Sequence, residues 1–205
     1  MRPSSIQKRE AALAAAERQF LAAGYDSVTM DSIAGESGVA KQTLYTHFGS
    51  KRELFLELVT SRTVAASEHV LAVPLAIDRD SDPRTVLGAM LRDQLTTVLT
   101  PTLLSLRRLV IGEATRSPEL AAALHEHGPR AAIAALAAIL RQFSDLEILR
   151  VPDAELAATQ LNWLVMAEPI NRAMLLGDDA AALSDSDIEL HVEAALDLFL
   201  PSVTR

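Results

Sequence analysis

Apolar side chains return every three to four positions through most of this chain and rarely alternate, so the pattern predicts helices throughout. Over residues 5–23, Ile6, Leu13, Ala16 and Phe20 recur at helical spacing. Lys8, Arg9, Glu10, Glu17 and Arg18 take the other side, and Gly24 follows as a C-terminal cap would. Thr29 is placed to cap a short helix over 30–37, whose inner side carries Met30, Ile33 and Ala34. Gly38 ends it. After Val39 a third helix, 41–48, sets Leu44 and Phe48 one turn apart. Ser50-Lys51-Arg52-Glu53 reads as a capping box opening a longer helix with Leu54, Phe55 and Leu58 inward.

Beyond a loop rich in Pro and Asp around Pro74–Pro83, helices are predicted over 84–99, 102–115, 118–127, 129–144, 153–176 and 186–200. Ile133, Leu136, Leu140 and Phe143 form an apolar stripe, and Asp153 can cap the helix carrying Leu156, Trp163, Met166 and Ile170. Pro169 should kink or interrupt that helix, because proline removes a backbone donor. Ser186 and Glu189 make a second capping-box pattern ahead of Ile188, Val192, Ala195 and Phe199. The fold class is therefore all-α: an N-terminal three-helix domain over 1–56, then a larger helical domain over 57–205, joined within one continuous helix.

Composition narrows the picture. The 205 residues are 49% hydrophobic, enough for a packed core, and contain no cysteine, which excludes disulfides and thiolate metal sites. MRPSSIQKREAAL is too polar for a secretion signal, and no apolar run nears the ~20 residues that span a bilayer, so a cytoplasmic protein without a membrane partner is expected. The formal charge of −8 is unevenly spread: residues 1–56 sum to +1 and 57–205 to −9, and all three lysines (Lys8, Lys41, Lys51) lie in the first part. Contact with a polyanion therefore belongs to the N-terminal segment.

That segment has the frame for it. Two short helices joined at Gly38 make a helix-turn-helix, with small Ala34 where the helices cross and a glycine where the turn needs positive φ. In GVAKQTLYTHFGSKR (38–52), Leu44 and Phe48 serve the core, leaving Lys41, Gln42, Thr43, Tyr45, Thr46 and His47 outward. Gln42 can bond base edges in a major groove, and Thr43 or Thr46 can touch a base or a thymine methyl. Tyr45 and His47 can donate to phosphate. Lys51 and Thr29, each at a helix N-terminus, sit where free amides attract phosphate. Ala40 leaves the recognition helix without a side-chain cap, and Asp31 is unfavourable beside DNA.

Over residues 10–56, and most specifically in GVAKQTLYTHFGSK, the chain resembles the N-terminal domain of TetR-type (tetracycline repressor-like) transcriptional regulators. LRRLVIGEATRSPELAAALHEHGPR (106–130) is similar to the subgroup around AcrR and AefR. The resemblance implies a homodimer whose small domain binds double-stranded operator DNA and whose large domain binds a small-molecule effector that releases it. It implies DNA contacts at Thr29, Lys41, Gln42, Thr43, Tyr45, Thr46, His47 and Lys51. It also implies dimerisation through the last two long helices, with Ile188, Val192, Ala195 and Phe199 as interface positions; the same stripe fits intrachain core equally.

Met90, Gln94, Leu106, Asn162, Trp163 and Met166 are the candidate lining of a lipophilic effector pocket, although Met and Trp at helical spacing also fit plain core. His125 and His127, two apart on a helix, face apart and do not form a zinc pair. No phosphate loop, nucleophile elbow or acid/base set is present, so neither cofactor nor catalysis is expected. Two other readings make the helix-turn-helix incidental. An enzyme would show turnover, and a non-DNA interaction module would show no salt-dependent DNA binding.

Overall fold

The computed structural model describes residues 4–71, 77–177 and 182–204. Part of the expected Pro74–Pro83 loop (74–76) lies outside the described residues, as do residues 178–181 of an acidic stretch over 178–187 that the sequence marks as solvated surface. The helices are α1 (Ser5–Ala23), α2 (Met30–Ser37), α3 (Lys41–Phe48), α4 (Lys51–Leu71), α5 (Pro83–Val98), α6 (Pro101–Glu113), α7 (Pro118–His125), α8 (Ala131–Asp145), α9 (Ala154–Leu176) and α10 (Asp185–Val203). No strand occurs among the described residues.

The chain forms two compact units, Met1–Thr63 with Ser105–Leu124, and Val64–Leu104 with His125–Arg205. The first reaches beyond segment 1–56 because Leu106, Val110 and Leu120 join the core of Phe20, Ile33, Leu44, Phe55 and Leu58. At its centre Phe20 lies 4.8 Å from Phe55 and 5.7 Å from Tyr25, ring to ring. α1 turns Ala12, Ala15, Ala16 and Phe20 inward, so Ile6, expected in the stripe, is 70% exposed. Alanines along that face let the neighbouring helices approach closely.

The second unit packs Leu87, Leu91 and Leu95 of α5 with Leu136, Leu140 and Phe143 of α8, Leu161 and Val165 of α9, and Val192 and Leu196 of α10. Ile188, Val192, Ala195 and Phe199 are all buried in this core, so within the protomer the stripe is core. The α10 cap lies two residues before the expected one: Ser184 accepts from the Asp187 amide at 3.2 Å, and the Asp187 carboxylate accepts from the Ser184 amide at 3.0 Å. Asp at the third helical position completes the box as well as Glu does.

Pro129 and Pro169 lie inside helical segments. Pro129 does not separate α7 from α8; a π-helical segment, Glu126–Arg130, carries the chain between them. The wider turn tolerates a residue without a donor. Pro169 does not interrupt α9 either. Its missing N–H would have paired with the Val165 carbonyl four residues back, and that oxygen lies 2.8 Å from His191 Nε2 of α10. A carbonyl only accepts, so the imidazole donates. His191 thus supplies from a neighbouring helix the hydrogen bond that proline removes from α9.

Candidate nucleic-acid interface

α2 starts at a reciprocal cap: Thr29 Oγ1 accepts from the Ser32 amide at 3.1 Å, and Ser32 Oγ accepts from the Thr29 amide at 3.2 Å. Thr29 was legible as the cap and Ser32 was not, since serine is a rare third residue of such boxes. Ser32 and Glu36 are braced against α1, where Gln19 Nε2 donates to the Ser32 carbonyl at 3.0 Å and Arg18 Nε to Glu36 at 2.7 Å. Side-chain hydrogen bonds from Gln19 first and Arg18 next hold the Glu36 carboxyl below its ordinary pKa.

Gly38 takes φ 67° in the left-handed region, with nothing within 4 Å of where a Cβ would stand. It is needed for its dihedral rather than for space. The turn aims α3 so that Leu44 and Phe48 are buried and Lys41, Gln42, Tyr45 and Thr46 are exposed together; Thr43 and His47 flank them, half-buried. Ala40 makes no side-chain cap. Lys41 Nζ instead sits 2.6 Å from Asp31 Oδ1, linking the start of the recognition helix to the start of α2. Asp31 is thus the partner of Lys41, whose pKa its hydrogen bond raises. Thr46 Oγ1 donates back to the Gln42 carbonyl at 2.8 Å, so its proton is engaged and its lone pairs are open. The His47 ring meets Phe48 edge-on at 6.1 Å. Gln42, Tyr45 and Lys41, which keeps protons beyond its Asp31 contact, are exposed side chains of this face with donors.

α4 begins with half of its expected box. The Glu53 amide donates to Ser50 Oγ at 3.1 Å, but the Ser50 amide already donates to the Phe48 carbonyl at 2.8 Å. The Glu53 carboxylate lies over Gly49 instead. Lys51, expected at a phosphate, also has protein partners. Its half-buried ammonium donates to the carbonyls of Tyr25 and Val28, both at 2.9 Å, and lies 4.2 Å from the centre of the Tyr25 ring.

The candidate pocket residues separate. Met90, Gln94, Asn162 and Met166 are all buried in the second unit, where Gln94 Nε2 donates to Asn162 Oδ1 at 2.9 Å. Gln94 Oε1 is buried with no partner among the described residues. Leu106 belongs to the core of the first unit. Trp163 is 40% exposed, on an open groove of about 580 Å³ with Ala167, Glu168, Ile170, Asn171 and Met174.

Residues 12–58 match the family described as bacterial regulatory proteins, TetR family, and residues 85–202 match the AefR-like transcriptional repressor, C-terminal domain. A TetR-family transcriptional regulator from Mesorhizobium loti is similar in structure along its whole length: TM-score 0.86, 29% identity, 100% of both chains covered. The flavonoid-responsive regulator FrrA gives a TM-score of 0.77 at 29% identity, over 96% of this chain and 97% of its own. The HTH-type transcriptional regulator YhgD of Bacillus subtilis is 42% identical over 57 residues, 28% of this chain and 30% of YhgD. That curated relative is therefore matched over under a third of its own length.

Proposed function

The chain belongs to the TetR family of transcriptional regulators, and from that premise we propose that it is a homodimeric repressor released from a palindromic operator by a small lipophilic effector. One observation carries the DNA reading: a rigid helix-turn-helix presents Lys41, Gln42, Tyr45 and Thr46 on a single face of α3. Gln42 reads a base edge. Tyr45, Lys41 and the half-buried His47 serve backbone phosphates, Thr43 and Thr46 accept or pack at the groove wall, and the α2 terminus at Thr29 meets phosphate. DNA binding belongs to residues 1–56; effector binding and dimerisation belong to 57–205.

A dimer places two copies of α3 in successive major grooves, about 34–36 Å apart. The surface that supports pairing is the outer face of α9 and α10, where Trp163, Leu164, Leu175, Leu176, Leu190 and Leu198 are exposed. Exposed apolar side chains of that size favour a self-complementary contact. No helix among the described residues is long and apolar enough to cross a membrane, and the dimer works in the cytoplasm beside its operator.

The effector site lies between α5 and α9 at Gln94 and Asn162. The unpaired Gln94 acceptor, one turn from Met90 as Asn162 is from Met166, suits an apolar molecule with a hydroxyl donor. Flavonoids, to which FrrA responds, have that character. Such a ligand binds without turnover and favours a conformation with weaker operator affinity.

Selection of random duplex DNA by the purified protein, followed by sequencing, tests the proposal. Recovery of an inverted repeat that silences a reporter gene is the expected outcome. Sequences without a shared motif at low salt would end it.

A further inference from the structure

Lys51 opens α4, where a lysine facing DNA would bind phosphate, yet its ammonium is turned inward. Two of its three protons go to the Tyr25 and Val28 carbonyls, both at 2.9 Å. The Tyr25 ring lies 4.2 Å away and supplies a cation–π face. These partners form the turn between α1 and α2, and Val28 directly precedes the Thr29 cap. The same turn is held from elsewhere in the unit by Arg116, 3.2 Å from Asp26, while Arg52, next to Lys51, ties the start of α4 to Glu119 of α7.

We propose that Lys51 is a positioning residue for DNA binding: its ammonium clips the α1–α2 turn to the start of α4 and so sets where the α2 terminus stands relative to α3. The site is built for a compact ammonium. Two carbonyls and a ring face match three tetrahedral donors, whereas the planar guanidinium of arginine spreads its donors in a wide fork. Within the turn the Val28 amide donates to the Tyr25 carbonyl over a long 3.4 Å, and the shorter bonds to both carbonyls come from Lys51. Loss of the clip frees the Thr29 end of α2 while leaving the exposed charge of the recognition face unaltered.

The proposal rests on DNA binding by the family's helix-turn-helix, and the test separates the two. Operator affinity of the full-length wild type, Lys51→Met, Lys51→Arg and Lys41→Met would be measured against salt concentration on the selected duplex. A phosphate-contacting lysine contributes about 0.9 to the slope of log K against log salt. The clip requires Lys51→Met to lose about tenfold in affinity with the wild-type slope, and Lys51→Arg to lose a comparable amount although its charge is kept. Amide exchange over residues 28–32 without DNA should be faster in both Lys51 variants than in the wild type. A shallower slope for Lys51→Met with full recovery in Lys51→Arg would make Lys51 a phosphate contact and overturn the proposal, as would unaltered exchange at residues 28–32. Failure of the wild type itself to bind DNA would count against the operator reading, while the exchange comparison still decides the clip.

Discussion

Gly38 sets the recognition corner with a single dihedral. At φ 67°, with open space around it, alanine there meets no clash but occupies a left-handed conformation costing about 1–2 kcal/mol. Gly38→Ala is therefore expected to lower the thermal midpoint by a few degrees. Gly49→Ala should cost more, since its φ is 72° and a Cβ would collide with Glu53 Oε2. The additional Glu53→Ala change should recover only the part due to crowding; thermal denaturation of the three variants would show it. On the DNA face, Tyr45 is exposed and free to donate. Tyr45→Ala is expected to weaken binding by about 1–3 kcal/mol on operator and unrelated duplex alike, measured by titration against both. Lys51 was legible as a cation at a helix start. Its inward turn was not, because its acceptors lie 23 and 26 residues away in sequence and are backbone oxygens that no pattern marks.

At the scale of elements, local chemistry made α1, α2 and α3 readable to the residue, since Gly24, Thr29, Gly38 and the Leu44/Phe48 pair are strong local signals. What failed was decided by tertiary packing. Ile6 fits a helical stripe, but the bundle needs the small alanine face. Pro169 predicts a kink or an interruption; α9 runs on through it, and His191 of a neighbouring helix supplies the hydrogen bond that proline removes. His191→Leu should leave the buried Val165 oxygen unpaired at a cost of about 1–3 kcal/mol. In a Pro169→Ala background, where the restored backbone amide at that position can fill the role, the same change should cost much less; a double-mutant cycle in denaturant measures the difference. The α10 cap carries a pH signature. Hydrogen bonds from Ser184, side chain first and backbone next, hold the Asp187 carboxyl below its ordinary 3.8. A depressed folded pKa gives stability that is present above the unfolded value and lost as pH falls through the folded one. Asp187→Asn should therefore flatten the stability profile below about pH 4, as followed by thermal midpoint against pH.

Across the whole molecule, charge and apolar surface divide the labour. Net negative charge beyond residue 56 makes the short N-terminal segment the part that repels a polyanion least, and this asymmetry was visible in the sequence alone. For pairing, the sequence offered a stripe of α10. The last helices were identifiable, but the regular stripe of α10 is the core side, and the exposed Leu190 and Leu198 lie off it. Both faces of such a helix are apolar, and periodicity cannot tell which meets the protomer's own core. Leu190→Arg combined with Leu198→Arg is expected to give a folded monomer in sedimentation, whereas Val192→Arg should unfold the second unit.

The central claim is that the exposed face of α3 reads DNA sequence. Parallel selection of random duplexes by wild type and Gln42→Ala tests it most directly. An inverted repeat for the wild type, with preference lost at one symmetric pair of positions in Gln42→Ala, is the expected result. The same motif at undiminished strength from both proteins, or none from the wild type, would contradict it.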